Sequence, residues 1–135
     1  MTKTTKTLLP AAAALALLAA PALAQDESSF RQCQSCHQVT APDGTNIVGR
    51  GRTGPNLYGI IGRQAGTVEG FDYGDGLVAA GEAGLVWTEE NLAAYITNPT
   101  DYIQEFLGDD STRSRMSFRA RSGQAEVAAF LASVQ

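Results

Sequence analysis

Lysine, histidine and cysteine are scarce in this sequence. Of its ten basic residues only Lys3 and Lys6 are lysines, and both lie at the very start. His37 is the one histidine, Trp87 the one tryptophan, and Cys33 and Cys36 are the only cysteines. Without a second cysteine pair the chain lacks the four ligands of a structural zinc site. Ten bases against fourteen acids give a net charge of −4, which excludes the positive footprint of a nucleic-acid binder. No stretch alternates apolar and polar residues in the manner of a strand.

The first 24 residues read as a secretory signal. Lys3 and Lys6 give a basic start, Leu8 to Ala20 is almost wholly apolar, and Ala22, Leu23 and Ala24 form the small, any, small cleavage pattern. A membrane anchor competes with this, but the apolar run is short of the roughly 20 residues a span needs. Removal of residues 1–24 leaves a single domain over 25–135 with eight arginines, no lysine and all fourteen acids, a balance of −6. Its 111 residues are a thin source of apolar core, and a buried prosthetic group would supplement it.

Residues 33–37 read Cys33, Gln34, Ser35, Cys36, His37, the spacing that attaches haem c. Two thiols three positions apart on one helical turn can add to the two vinyl groups of a porphyrin, and the next residue places an imidazole beneath the iron. An exported chain with two cysteines also suggests a disulfide, and a thioredoxin-like pair shares the spacing. The adjacent histidine favours haem over both. His37 is then the fifth iron ligand. After loss of Met1 the one remaining methionine is Met116, set in the polar, basic stretch Ser114, Arg115, Met116, Ser117, Phe118. A packing methionine belongs in an apolar stripe, so Met116 is assigned as the sixth ligand, in the His/Met pair that raises reduction potential. Two protein ligands leave no open position for oxygen or peroxide.

The pattern predicts three helices. A short one carries Phe30 into the Cys33 segment. A second begins at Thr88, which can cap it ahead of Glu89 and Glu90, puts Leu92, Tyr95 and Ile96 on one face, and ends at Pro99. A third runs from about Ser122 to Val134, with Val127, Phe130, Leu131 and Val134 on the face that packs on the first. Between 41 and 86 glycines abound and periodicity is weak, which predicts loops wrapped around a cofactor.

Ordered through the chain are Thr53, Gly54, Pro55, Asn56, Leu57, Tyr58, Gly59, then Gly62, Arg63, then Gly70, Phe71, Asp72, Tyr73. Trp87, Thr88, Glu89, Glu90 follow, then Asn98, Pro99, and at the end Val127, Ala128, Ala129, Phe130, Leu131. With the haem motif these make the chain resemble a soluble class I cytochrome c, closest to the bacterial cytochrome c2 group. The resemblance implies an all-α, single-domain class I cytochrome c fold wrapped around one haem c attached through Cys33 and Cys36. It implies that the Pro55 carbonyl accepts from His37 and that Arg63, Tyr73 and Trp87 hold the haem propionates, with a further hydroxyl from Ser114. It also implies that the Tyr95 hydroxyl reaches the methionine sulfur. For the aromatic residues plain core packing stands as the alternative. Two departures from the family are visible: only eight mature residues precede Cys33, none of them the glycine of the family's helix crossing, and thirteen separate Tyr102 from Met116.

Charge is segregated. Arg31 to Arg63 holds four arginines and Asp43, Glu69 to Asp110 holds ten acids and no base, and Arg113 to Arg121 holds four arginines and no acid. In the resembled family the haem edge emerges between the Cys33 and Met116 segments, which makes Arg50, Arg52, Arg113, Arg115, Arg119 and Arg121 the expected docking face. The expected function is that of a monomeric periplasmic electron carrier, not an enzyme, reduced by membrane ubiquinol:cytochrome c reductase and oxidised by a terminal oxidase or photosynthetic reaction centre. Two alternatives are a haem peroxidase or gas-binding protein, which needs an open iron position, and a donor dedicated to one periplasmic reductase or dehydrogenase.

Overall fold

The computed structural model describes residues 26–135; the signal segment 1–24 lies outside them. Asp26 caps a 3-10 helix, Glu27–Cys33, by accepting from the Ser28 amide. A hairpin follows, with β1 Gln38–Thr40 antiparallel to β2 Asn46–Gly49. Four α-helices complete the fold: α1 Asp75–Glu82, α2 Glu89–Thr97, α3 Pro99–Leu107 and α4 Gln124–Ser133. Helix α4 packs against both the 3-10 helix and α2, while α1 and α3 form a second pair joined to the first through α2.

The helix from Thr88 forms as the sequence requires. Thr88 Oγ1 accepts from the Asn91 amide, and Asn91 Oδ1 accepts in return from the Thr88 amide, a reciprocal cap. Leu92, Tyr95 and Ile96 are buried on its inner face. The last helix starts at Gln124, two residues later than expected, after Gly123 in the left-handed region (φ 75°). Val127, Phe130 and Leu131 are buried along it, and Phe130 meets Phe30 with ring centroids 5.7 Å apart. Two aromatic rings thus make the contact between first and last helices that a glycine would otherwise allow.

Three features depart from the sequence expectation. The hairpin was not anticipated, because strands of three and four residues are too short to show alternation, and its register shifts between Val39 and Thr40. Helix α1 lies inside the stretch expected to be loop. Its Gly76, Ala80 and Gly81 are buried, and small residues give almost no amphipathic signal although they allow close packing. Helix α3 starts at the residue expected only to stop α2. Pro99 occupies its first turn, where the missing N–H costs nothing, and Asn98 is at once the last cap of α2 and the first of α3.

Candidate cofactor site

One wall of the site is a continuation of the 3-10 helix. The amides of Cys36 and His37 both reach the Cys33 carbonyl, at 3.2 and 2.9 Å, so the motif occupies one tight turn. Burial and the neighbouring Cys36 push the Cys33 thiol up to about 11. Redox-active CxxC thiols are shifted the other way. His37 is 8% exposed, and its Nδ1 lies 2.9 Å from the Pro55 carbonyl oxygen. That oxygen can only accept, so Nδ1 carries the hydrogen and Nε2 keeps a free lone pair. Burial lowers the His37 pKa, and the Pro55 hydrogen bond opposes it in part. The ring is therefore neutral near pH 7, the state in which imidazole binds a metal.

Backbone geometry fixes this ring. The Gly54 amide donates to the Cys36 carbonyl at 2.8 Å, and a Cβ on Gly54 would overlap the imidazole.

The opposite wall carries Met116 in an irregular segment between α3 and α4. Ser114 Oγ accepts from the Met116 amide at 3.1 Å and lies 3.2 Å from the buried Tyr95 hydroxyl. Burial raises the Tyr95 phenol pKa, opposed by the Ser114 contact. One proton sits between these two hydroxyls, and its owner has a consequence. If Tyr95 donates, the Ser114 proton is free for a carboxylate; if Ser114 donates, the phenol proton is free for the Met116 sulfur. While the two hydroxyls share this bond, only one of them has its proton free for another acceptor.

Trp87 and Arg63 are drawn together by backbone pairing: the Trp87 amide donates to the Arg63 carbonyl at 2.9 Å and the Gly62 amide to the Trp87 carbonyl at 2.7 Å. The Trp87 ring lies 4.9 Å from Tyr95. Tyr73 is partly buried, and burial raises its phenol pKa against the opposing charge of Arg63.

Between the walls is a cavity of about 320 Å³ that brings together Cys33, Cys36, His37, Pro55, Tyr73, Trp87, Tyr95, Ser114 and Met116. Arg63 does not line it. Leu57, Ile60, Phe71, Leu77, Leu92 and Leu131 supply an apolar remainder that the sequence analysis did not single out as site residues. Among the described residues no group of three histidine, cysteine or acidic side chains could hold a bare metal ion. The donors instead suit a flat apolar macrocycle: two thiols at one edge, a nitrogen lone pair on one wall and a thioether on the other.

No family model matches the chain. Cytochrome c-551 of Roseobacter denitrificans is 49% identical over 126 residues, 90% of this chain and 90% of that protein. Cytochrome c2 of Rhodobacter capsulatus is 47% identical over 131 residues, 94% of this chain and 96% of that protein. The chain belongs to the bacterial cytochrome c2 family. The solved structure of the Rhodobacter capsulatus cytochrome c2 superposes with a TM-score of 0.78 at 47% identity, covering 80% of this chain and 93% of that one. Ferric cytochrome c-550 of Paracoccus versutus gives 0.77 at 46% identity, over 80% and 92%. The protein is accordingly a class I c-type cytochrome with one covalent haem c, an electron carrier and not an enzyme. When bound, the haem supplies a ferric/ferrous couple that takes up and releases one electron.

The six arginines of the expected docking face are all exposed on this cytochrome. Arg50 and Arg52 flank Gly51, whose amide donates to the Gln34 and His37 carbonyls beside the cysteines. Arg115 lines the cavity and bridges it to Asp72 at 3.0 Å. Arg121 precedes Ser122, whose carbonyl accepts from Gln32. Arg113 instead folds back onto its own loop, donating to the Asp110 and Thr112 carbonyls.

Proposed function

We propose that this cytochrome is exported by residues 1–24 and works in the periplasm as a diffusible carrier whose iron is held between His37 and Met116. The observation that carries this is the pairing of a buried imidazole, its Nδ1 engaged by Pro55 and its Nε2 without a hydrogen-bond partner among the described residues, with a methionine that lines the same cavity. Cys33 and Cys36 attach the haem. Tyr73, Trp87 and Ser114, which line the cavity, are suited to its propionates, Arg63 would have to reach them from outside the lining, and Tyr95 is suited to the methionine sulfur. No helix among the described residues is long and apolar enough to cross a membrane, which suits a protein that moves between partners.

Its partners are membrane ubiquinol:cytochrome c reductase as donor and a terminal oxidase or photosynthetic reaction centre as acceptor. Docking uses Arg50, Arg52, Arg113, Arg115, Arg119 and Arg121; the guanidinium groups of Arg113 and Arg115 are already engaged, by loop carbonyls and by Asp72 respectively. Absorption spectra of oxidised and reduced protein, with and without carbon monoxide, test the ligation. A sulfur-to-iron charge-transfer band and ferrous bands unchanged by the gas are expected. A rapid carbon monoxide adduct would refute the closed His/Met site.

A further inference from the structure

The segment that follows α3, residues 108–115, is held to that helix by two side chains. Gln104 Nε2 donates to two carbonyls of the turn at once, Asp110 at 2.8 Å and Thr112 at 2.9 Å. One turn earlier on the same helix, Thr100 Oγ1 accepts from the Ser114 amide at 3.2 Å. Ser114 Oγ then accepts from the Met116 amide. The bonds run without interruption from a helix through alternate residues of the segment, 110, 112 and 114, to residue 116. Packing backs them from the other side: a Cβ on Gly76 of α1 would lie 2.5 Å from Thr112 Cγ2 and 3.0 Å from the Arg113 carbonyl.

We propose that Gln104, with Thr100, is a positioning residue that sets how often Met116 leaves the haem iron, by fastening the 108–116 segment to α3. The inference rests on Met116 being the sixth ligand. Neither residue lines the cavity, and so neither acts on the haem directly. Gln104 ties down the two carbonyls with a single amide, and its loss frees them to turn toward water together. The segment then gains freedom at its centre while Tyr95 still holds the Ser114 hydroxyl beside Met116.

The test uses the haem-loaded protein with Gln104→Met, which keeps length and bulk but removes the donor, and Thr100→Val, which removes the acceptor while keeping shape. Two quantities are read: amide exchange at Ser114 and Met116, and the rate at which added imidazole binds the ferric protein, limited by departure of Met116. Gln104→Met is expected to raise both about thirtyfold, the scale of two net hydrogen bonds. Thr100→Val raises them less, with helix content unchanged in each. Combining Gln104→Met with Met116→Ala should add nothing to the imidazole rate of Met116→Ala alone. Wild-type exchange and imidazole rates in both variants would overturn the positioning role while fast binding by Met116→Ala upheld the ligation. If Met116→Ala itself bound imidazole no faster than wild type, the ligand assignment would fall and this inference with it. Should one variant fail to fold, the other decides alone.

Discussion

The two walls of the cavity are built on opposite principles. The histidine wall rests mainly on backbone: the Cys33 turn and the Gly54 amide on Cys36, with the Pro55 carbonyl accepting from the ring, leave the imidazole buried. The methionine wall is held by side chains reaching main-chain atoms, from Gln104, Thr100, Ser114 and Arg115, and several of these lie at the surface. A wall made of close backbone contacts fails all at once when a single atom is added. A wall made of separate hydrogen bonds loosens by degrees, since each is worth only about 1 kcal/mol net. Under the proposed ligation, the fixed side would keep its ligand in place and the adjustable side would be where the site opens.

The largest break in this contrast is Gly54→Ala. Its methyl group overlaps the His37 ring, so the ring or the 53–55 turn must move and the Pro55 hydrogen bond is lost. A stability loss of about 3 kcal/mol is expected, with a sharp fall in the yield of haem-loaded protein. Denaturant unfolding and the haem-to-protein absorbance ratio measure the two; a normal yield with the histidine ligation intact would remove the rigid wall from the comparison.

Met116→Ala comes next and should behave quite differently. Haem stays attached and the fold persists, because the segment keeps its bonds to α3, while the sixth position opens. The reduction potential falls by a sizeable part of the roughly 0.8 V that axial ligands command, and carbon monoxide binds the ferrous form. Potentiometry and gas titration check this, and survival of the sulfur-to-iron band in the variant would mean that another group is the ligand.

A smaller effect belongs to the charges outside the walls. Changing Arg115 and Arg119 together to glutamate should slow bimolecular electron transfer to the physiological partner about tenfold at low salt. The difference should shrink as the Debye length contracts from about 10 Å at 0.1 M to about 3 Å at 1 M. Glu89→Arg with Glu90→Arg should matter far less. Stopped-flow rates across an ionic-strength series decide it, and equal losses from the two double variants would dismiss the arginine face. Part of any Arg115 effect comes from its pair with Asp72, but both side chains are largely exposed and such pairs contribute little.

The smallest effect concerns the turn that leads into the methionine wall. Asp109 accepts from the Ser111 amide and hydroxyl and from the Thr112 hydroxyl, and these bonds, led by the Ser111 hydroxyl and aided by Arg113, hold its pKa below the ordinary 3.8. A depressed carboxylate contributes order that is fully present above its unfolded pKa and is lost as pH falls through the folded one. The Ser111 amide should therefore keep its full protection factor, relative to the unstructured exchange rate at the same pH, above about pH 4 and lose it only in stronger acid, whereas Asp109→Asn should show the loss at neutral pH. Identical protection in the variant would leave the turn to Gln104 and packing alone.

The difference between the walls also explains what could be read from the chain. Cys33, Cys36 and His37 are contiguous, and local helical geometry alone puts thiols and imidazole on one turn. Met116 was found by elimination, since no other methionine survives loss of Met1. Helix α2 was legible because Thr88 caps it and three of its large side chains share a face. Helix α1 was not, because its buried positions are glycine and alanine, whose contribution appears only once Ala65, Thr112 and Ile103 lie against them. Gln104 carried no signal at all: a glutamine on an acidic helix looks like surface until the carbonyls it reaches are in place.

By itself, then, the sequence determined the haem attachment turn, the family and the helix from Thr88. Each of these depends on residues close together in the chain, or on an ordered series of short local motifs. Tertiary structure alone decided that Phe30 and Phe130 join the first and last helices. It also placed Arg63 outside the cavity, turned Arg113 onto its own loop and tied the methionine segment to α3. Those are contacts between residues far apart in the chain, fixed by side-chain reach and by which carbonyls the folded backbone leaves unpaired, and neither is written in any local pattern.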